Sequence, residues 1–145
     1  MERFDHRGIS ADRFKRLGEF SHHCSDCGLD EQLMELVKLR ASQINGCAHC
    51  LNMHVEILRK LGESEERLQN VVVWREATCF NDRERAALAW AEAVTLVADS
   101  RVPDDVFLQA RGQFTDQELV ELTYVIIAIN AYNRLAVAFR QVPGS

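Results

Sequence analysis

Proline is almost missing from this chain: only Pro103 and Pro143 occur in 145 residues. Stretches of β-branched residues alternating with polar ones are missing too, which leaves no basis for a β fold. No uninterrupted apolar run exceeds Tyr124 to Ile129, far short of the ~20 residues a membrane-spanning helix needs. The opening stretch MERFDHRGIS is charged and carries no apolar segment, so no secretory signal is expected. A cytoplasmic protein is the default, and there thiols are normally kept reduced. Positive charge is in deficit: 17 Lys and Arg stand against 22 Asp and Glu, a net −5. That disfavours nucleic acid or an anionic membrane as the main partner. Low-complexity tracts, linkers and repeats are absent.

What is present is a helical pattern. Hydrophobic residues make up 47% of the chain, enough for one domain of this length to build a core without disulfide or metal staples. A first short helix is expected from about Ser10 to His22, followed by a loop through Gly28. Asp30 is a good N-cap for a second helix bearing Leu33, Leu36, Val37, Arg40 and Ile44, broken by Asn45-Gly46. A third begins at Gly46 or Cys47 and ends at Leu61, with Gly62 just beyond. Ser64 caps a fourth that reaches Thr78. Asn81 with Glu84, and Thr115 with Glu118, have the spacing of capping boxes. They open a fifth helix to Ala98 and a last one to about Val142, and Pro103 starts a short sixth between them. The last helix is apolar on nearly every face from Leu119 to Ala138, so it belongs in the core or against another subunit. Asn130, Asn133 and Arg134 interrupt it and need partners if buried. The expected architecture is an all-α, single-domain helical bundle over residues 1–145.

Five cysteines in such a chain point to catalysis or metal binding before a disulfide scaffold. Cys79 stands alone and reads as a buried structural thiol. The informative stretch is ELVKLRASQINGCAHCLNMH, Glu35 to His54. Cys47 and Cys50 lie one helical turn apart, and His54 follows on the same stripe. Cys47 falls in the first turn, where free N–H groups and the helix dipole favour an anion. That lowers a thiol pKa, and the thiolate is the reactive species. A Cys-X-X-Cys opening a helix is therefore suited to disulfide exchange, with His54 exchanging a proton with Cys50.

Glu35 joins the group by geometry. If Asn45-Gly46 folds the second and third helices into a hairpin, Glu35 lies roughly 16 Å back from the turn and His54 roughly 12 Å forward. Its apolar neighbours imply partial burial, which would raise its pKa toward the proton-shuttling range. The alternative is a surface carboxylate pairing with Lys38 or Arg40. His49, between the cysteines, either tunes the thiols, hydrogen-bonds a carbonyl, or is a solvated bystander.

Glu35, eleven residues, Cys47-Ala48-His49-Cys50, then His54 after three more, resembles the core motif of AhpD-like alkylhydroperoxidases of the carboxymuconolactone decarboxylase superfamily. The flanks LVKLRASQINGC, REATCFNDRERAALAWAEAVTL and INAYNRLAVAFR are similar as well, so the resemblance spans about Asp30 to Arg140. It implies an all-helical, AhpD-like fold assembling as homo-trimers or hexamers. It implies hydroperoxide reduction or disulfide exchange in antioxidant defence, without haem, flavin or metal. Cys50 would attack the peroxide and become a sulfenic acid. Cys47, more exposed, would resolve it to a disulfide that a lipoyl-type or other dithiol protein reduces. Glu35 and His54, through a water, would relay protons. Relatives that act as decarboxylases generally lack the paired cysteines, so the chain resembles the redox branch.

One segment departs from that pattern: Cys24-Ser25-Asp26-Cys27-Gly28. Either its thiols are unrelated loop residues, or they form a second exchange centre, or they bind metal. Nineteen residues lie between Cys27 and Cys47, so Cys24, Cys27, Cys47 and Cys50 match a four-cysteine zinc spacing. His22 and His23 could join Cys24 and Cys27 in a smaller site. Against zinc, an amphipathic helix rather than a β-hairpin separates the pairs. A decarboxylase-type relative with silent thiols and a zinc-stabilised binding module stand as alternatives to the peroxidase.

Overall fold

Helix boundaries fall where side chains can replace missing backbone partners. A computed structural model describes residues 1–145 as helices and turns with no strand. In chain order these are α1 (His6–Ile9), α2 (Ala11–Ser25), α3 (Glu31–Asn45), α4 (Ala48–Lys60) and α5 (Glu65–Asn70), which runs into a 3₁₀ turn at Val71–Val73. After them come α6 (Asp82–Thr95), α7 (Val97–Ser100), α8 (Asp104–Gln113) and α9 (Asp116–Phe139). Asp30 caps α3 by accepting from the Leu33 N–H at 3.0 Å, and Gly46 closes it in the left-handed conformation, φ 69°. A side chain at Gly46 would strain that turn, and the turn aims the chain into α4. Ser64 caps α5, and Asn81 with Glu84 completes both halves of its capping box.

Five expectations about the helices change. The first helix does not stop at His22: α2 runs on to Ser25 and takes in Cys24, which the sequence places in a loop. The fourth helix does not reach Thr78: α5 stops at Asn70 and tightens into the 3₁₀ turn of three valines, whose β-branching disfavours a continuing helix. The fifth ends at Thr95, and a separate short turn, α7, follows. Thr115 accepts from the Glu118 N–H, but the Glu118 side chain turns away to Arg83, so only half a capping box forms. The last helix ends at Phe139, because Arg140 adopts a left-handed conformation, φ 54°.

α3 is the central element, packed against α4, α6 and α9. One apolar cluster joins it to α6, α8 and α9 through Leu33, Val37, Trp90, Leu122 and Ile126. A second joins it to α4, α5 and α6 through Leu36, Leu39, Leu58 and Leu88. A third contains Ala41, Cys47, Cys50, Ile129 and Ala136. The Cys-X-X-Cys segment is thus part of the core where α3, α4 and α9 meet. Cys79, expected to be buried, is half-exposed at the margin of the second cluster.

α9 is long and apolar enough, by length and composition, to cross a bilayer. Instead it packs against α2, α3 and α6. Its far side leaves Val120, Tyr124 and Ile127 exposed.

The polar interruptions in α9 have partners. Asn45 donates to the side-chain oxygens of Asn130 and Asn133, both at 2.9 Å. Fully buried Asn133 donates to Ser42 Oγ at 3.1 Å, and Asn130 donates to Thr95 Oγ1 at 3.1 Å. This network pins the last turn of α3 to α9 just before Cys47. Asn133→Leu removes the α9 partner of Asn45 and Ser42, which keep only their bonds to Asn130 and to the Lys38 carbonyl, so it is expected to cost about 1 kcal/mol. A urea titration with an unshifted midpoint would contradict this.

Candidate functional site

The site assembles at the α3–α4 turn. Cys47 is the N-cap of α4, with an extended backbone, and its Sγ lies 3.2 Å from the Cys50 N–H. The two cysteines are joined as a disulfide, their Cα atoms 5.3 Å apart. The expected difference in exposure is not found: Cys47 is 2% and Cys50 1% exposed. Packing against α9 buries both, because Ala136 and Ile129 close over the pair.

The two cysteines line different openings. Cys50 lines a cavity of about 290 Å³ together with His49, His54, Phe14, Met53 and Tyr132. Cys47 lines a separate groove of about 480 Å³ with Gly46, Ala48, Val137, Arg140 and Pro143. Only His49, Ala136 and Gln141 border both. The disulfide therefore sits in a wall between two openings, one residue toward each.

Glu35 and His54 meet as the hairpin geometry requires. The carboxylate Oε2 is 2.5 Å from His54 Nδ1, and both residues are 5% exposed. Lys38 donates to the other oxygen, Oε1, at 3.1 Å. The surface reading of Glu35 does not hold, since the residue is buried, although the lysine contact it named is present beside the histidine one. Arg40 takes no part, since it pairs with Glu92 at 2.9 Å.

The expected direction of the Glu35 shift is reversed. Burial pushes its pKa up, but the hydrogen bond and charge of His54, joined by Lys38, hold it below the ordinary carboxylate range. Glu35 is thus a fixed anion. A carboxylate at Nδ1 accepts that nitrogen's proton, so the tautomer of the neutral ring that it favours carries its lone pair at Nε2. His54 Nε2 is buried with no hydrogen-bond partner, and His54 borders the Cys50 cavity. Unpartnered buried polar atoms are rare, and this one belongs to a cavity-lining residue.

His49 is half-buried and stands 3.1 Å, through Nε2, from Gln141 Nε2, so the amide donates to the ring. Gln141 Oε1 accepts from His6 Nε2 at 3.3 Å. His49 is not bonded to a carbonyl; its half-buried ring is held by Gln141, just past the end of α9. Gln141 and His6 are absent from the sequence-based site, and nothing local marks them, since 92 residues separate Gln141 from His49.

The four-cysteine metal arrangement does not form. Cys47 and Cys50 are bonded to each other, and Cys24 and Cys27 sit at the C-terminal end of α2. His22 and His23 point to solvent. No three His, Cys, Asp or Glu side chains converge as metal ligands.

An all-helical fold with a disulfide at a helix N-terminus, and a histidine–carboxylate pair beside it, defines the class. The carboxymuconolactone decarboxylase family model matches residues 11–93, and the chain belongs to that family as an AhpD-like member. The uncharacterized protein YdfG of Bacillus subtilis is 32% identical over 137 residues, covering 94% of this chain and 93% of its own. The crystal structure of a protein of unknown function from Agrobacterium tumefaciens, described as a candidate antioxidant defence protein AhpD, is 40% identical. It superposes with a TM-score of 0.97 over 100% of this chain and 99% of its own. The alkyl hydroperoxide reductase AhpD of Streptomyces griseus matches locally, 42% identical over 45 residues, or 31% of this chain and 25% of that one. The debrominase Bmp8 shares the fold alone, at 17% identity and TM-score 0.84, over 95% of this chain and 74% of its own.

Proposed function

We propose that this chain is a thiol-dependent peroxidase that reduces organic hydroperoxides through Cys47 and Cys50, in antioxidant defence. The observation that carries the reading is the free, buried Nε2 of His54 on a residue sharing one cavity with Cys50. In the reduced protein His54 Nε2 accepts the Cys50 proton, and ionised Glu35 stabilises the imidazolium that forms. The Cys50 thiolate attacks the terminal peroxide oxygen. An S–O bond forms, the O–O bond breaks, and the alcohol leaves with a proton returned by His54. Cys47 then attacks the sulfenic sulfur, an S–S bond forms, and water leaves. The result is the closed pair seen here.

Two electrons must then enter. A dithiol or lipoyl-type protein would reach Cys47 through the groove on its side of the wall. Phe14, Met53 and Ile129 line the other cavity, which suits the organic part of the peroxide. The exposed row Val120, Tyr124 and Ile127 on α9 suits a homo-oligomer contact, in keeping with the trimers or hexamers of the AhpD-like group. No cofactor is needed for these steps.

The test is direct. Reduced protein is mixed with tert-butyl hydroperoxide and dihydrolipoamide, and peroxide loss is followed. The expected result is catalytic consumption, with one equivalent closing the Cys47–Cys50 disulfide when the reductant is left out. Persistence of both thiols in excess hydroperoxide would overturn the proposal.

A further inference from the structure

Three sulfurs lie outside the mechanism but close to its framework. α2 ends at Ser25, where the Asp26 N–H caps it by bonding to the His22 and His23 carbonyls. Cys24 occupies its last turn and is 4% exposed, while Cys27, just past the cap, is half-buried. Cys27 Sγ contacts Met34 Sδ at 3.8 Å, a weak interaction between soft atoms. The two cysteines have the same three-residue spacing in sequence as Cys47 and Cys50. Each pair sits at a helix end. The thiols also feel one another: burial first, then the neighbouring Cys27, pushes the Cys24 thiol up.

One of the two residues between them leads to the site. Ser25 Oγ accepts from Lys38 Nζ at 3.3 Å, and the same Nζ donates to Glu35 Oε1 at 3.1 Å. The other oxygen of Glu35 holds His54 Nδ1. An unbroken chain of contacts thus runs from the Cys24–Cys27 segment through Ser25, Lys38 and Glu35 to the cavity-lining histidine.

We propose that Cys24 and Cys27 are a second redox dithiol, closed to a disulfide by hydroperoxide, whose state is transmitted to His54 through Ser25 and Lys38. The half-buried Cys27 reacts first. Its sulfur bonds the terminal peroxide oxygen, the O–O bond breaks, and the alcohol leaves with the thiol proton. Cys27 then rotates away from Met34, Cys24 attacks the sulfenic sulfur, and the hydroxyl leaves as water with the Cys24 proton. Two electrons pass from the two sulfurs to one peroxide.

The ends of the two helices set the order of the two dithiols. Cys47 caps a helix N-terminus, which favours a thiolate; Cys24 lies in a C-terminal turn, which disfavours one. The second pair therefore closes more slowly. Once closed it reopens more slowly as well, because a high-pKa thiol is a poor leaving group. It is suited to record an excess of peroxide that the faster pair has failed to clear. Closure draws in the turn holding Ser25 and leaves Lys38 to Glu35 alone.

The transmission to His54 rests on the site proposed above, but the thiol chemistry does not, so the double variant Cys47→Ser/Cys50→Ser separates the two. It is treated with tert-butyl hydroperoxide, quenched in denaturant with iodoacetamide, and its peptides are mapped by mass. Joint loss of both thiols as a Cys24–Cys27 disulfide within one chain is expected, while the parent loses Cys47 and Cys50 first. Both thiols remaining alkylated, or Cys27 alone oxidised, would overturn the dithiol. In the parent, with Cys47–Cys50 already closed, ¹⁵N-histidine spectra before and after the second closure are expected to show a displaced His54 resonance. A closed second disulfide with an unmoved His54 would overturn the transmission, and peroxidase activity enters neither readout.

Discussion

Cys50→Ser is expected to abolish hydroperoxide turnover, whereas Cys47→Ser should carry the reaction one step and stop. Serine at position 50 keeps the shape of the cavity wall, yet its hydroxyl ionises far too weakly to attack oxygen at neutral pH. With Cys47 removed, Cys50 still lines the cavity with His54, so the sulfenic acid is expected to form. The resolving sulfur is gone, and the intermediate accumulates where dimedone can trap it. The asymmetry does not come from exposure, since both sulfurs are buried to nearly the same degree. In the proposed reaction it comes from the two openings that Cys50 and Cys47 line separately, peroxide entering by the first and the reductant by the second. Equal turnover by both variants, or a dimedone adduct at Cys47 in Cys50→Ser, would reverse the assignment.

Glu35→Gln should damage both rate and stability. A neutral amide cannot stabilise imidazolium at Nδ1, so peroxide reduction is expected to slow by about 10²-fold. The Cys50 thiolate titration should move to higher pH, and an unchanged titration would remove Glu35 from the mechanism. Stability falls because the Lys38 side chain, only 13% exposed, loses its counter-charge. Breaking one side of a buried pair costs about 3–5 kcal/mol.

The same carboxylate makes the parent's stability depend on pH. Its folded pKa lies below its unfolded value, with burial opposing the shift and the His54 and Lys38 contacts outweighing it. The contribution is therefore complete above about pH 4.3 and is lost as pH falls through the folded pKa. Chemical denaturation at pH 7 and near pH 3 should show the parent losing its advantage over Glu35→Gln in acid. A constant difference between the two would contradict the assignment of Glu35 as an anion.

Much of this was legible in local pattern because the causes are local. Asp30, Ser64 and Asn81 mark helix starts, since each side chain bonds a backbone N–H only three residues away. The α3–α4 hairpin was legible from Asn45-Gly46, and once the turn is placed the helical rise brings Glu35 level with His54. Thr115-Glu118 misled because a capping glutamate can be claimed by a distant arginine, here Arg83.

By itself the sequence determined an all-helical chain and a dithiol at a helix N-terminus with its histidine and carboxylate. These follow from spacings of three to nineteen residues within one hairpin. Tertiary structure alone decided which cysteine lines which opening, because α9 packs over the pair and borders both. It also decided the charge of Glu35: flanking leucines predict burial, but only the packed hairpin brings His54 and Lys38 onto its two oxygens at once. Gln141 and His6 close on His49 only after the whole chain has folded, and no local pattern encodes a contact between opposite ends of a chain.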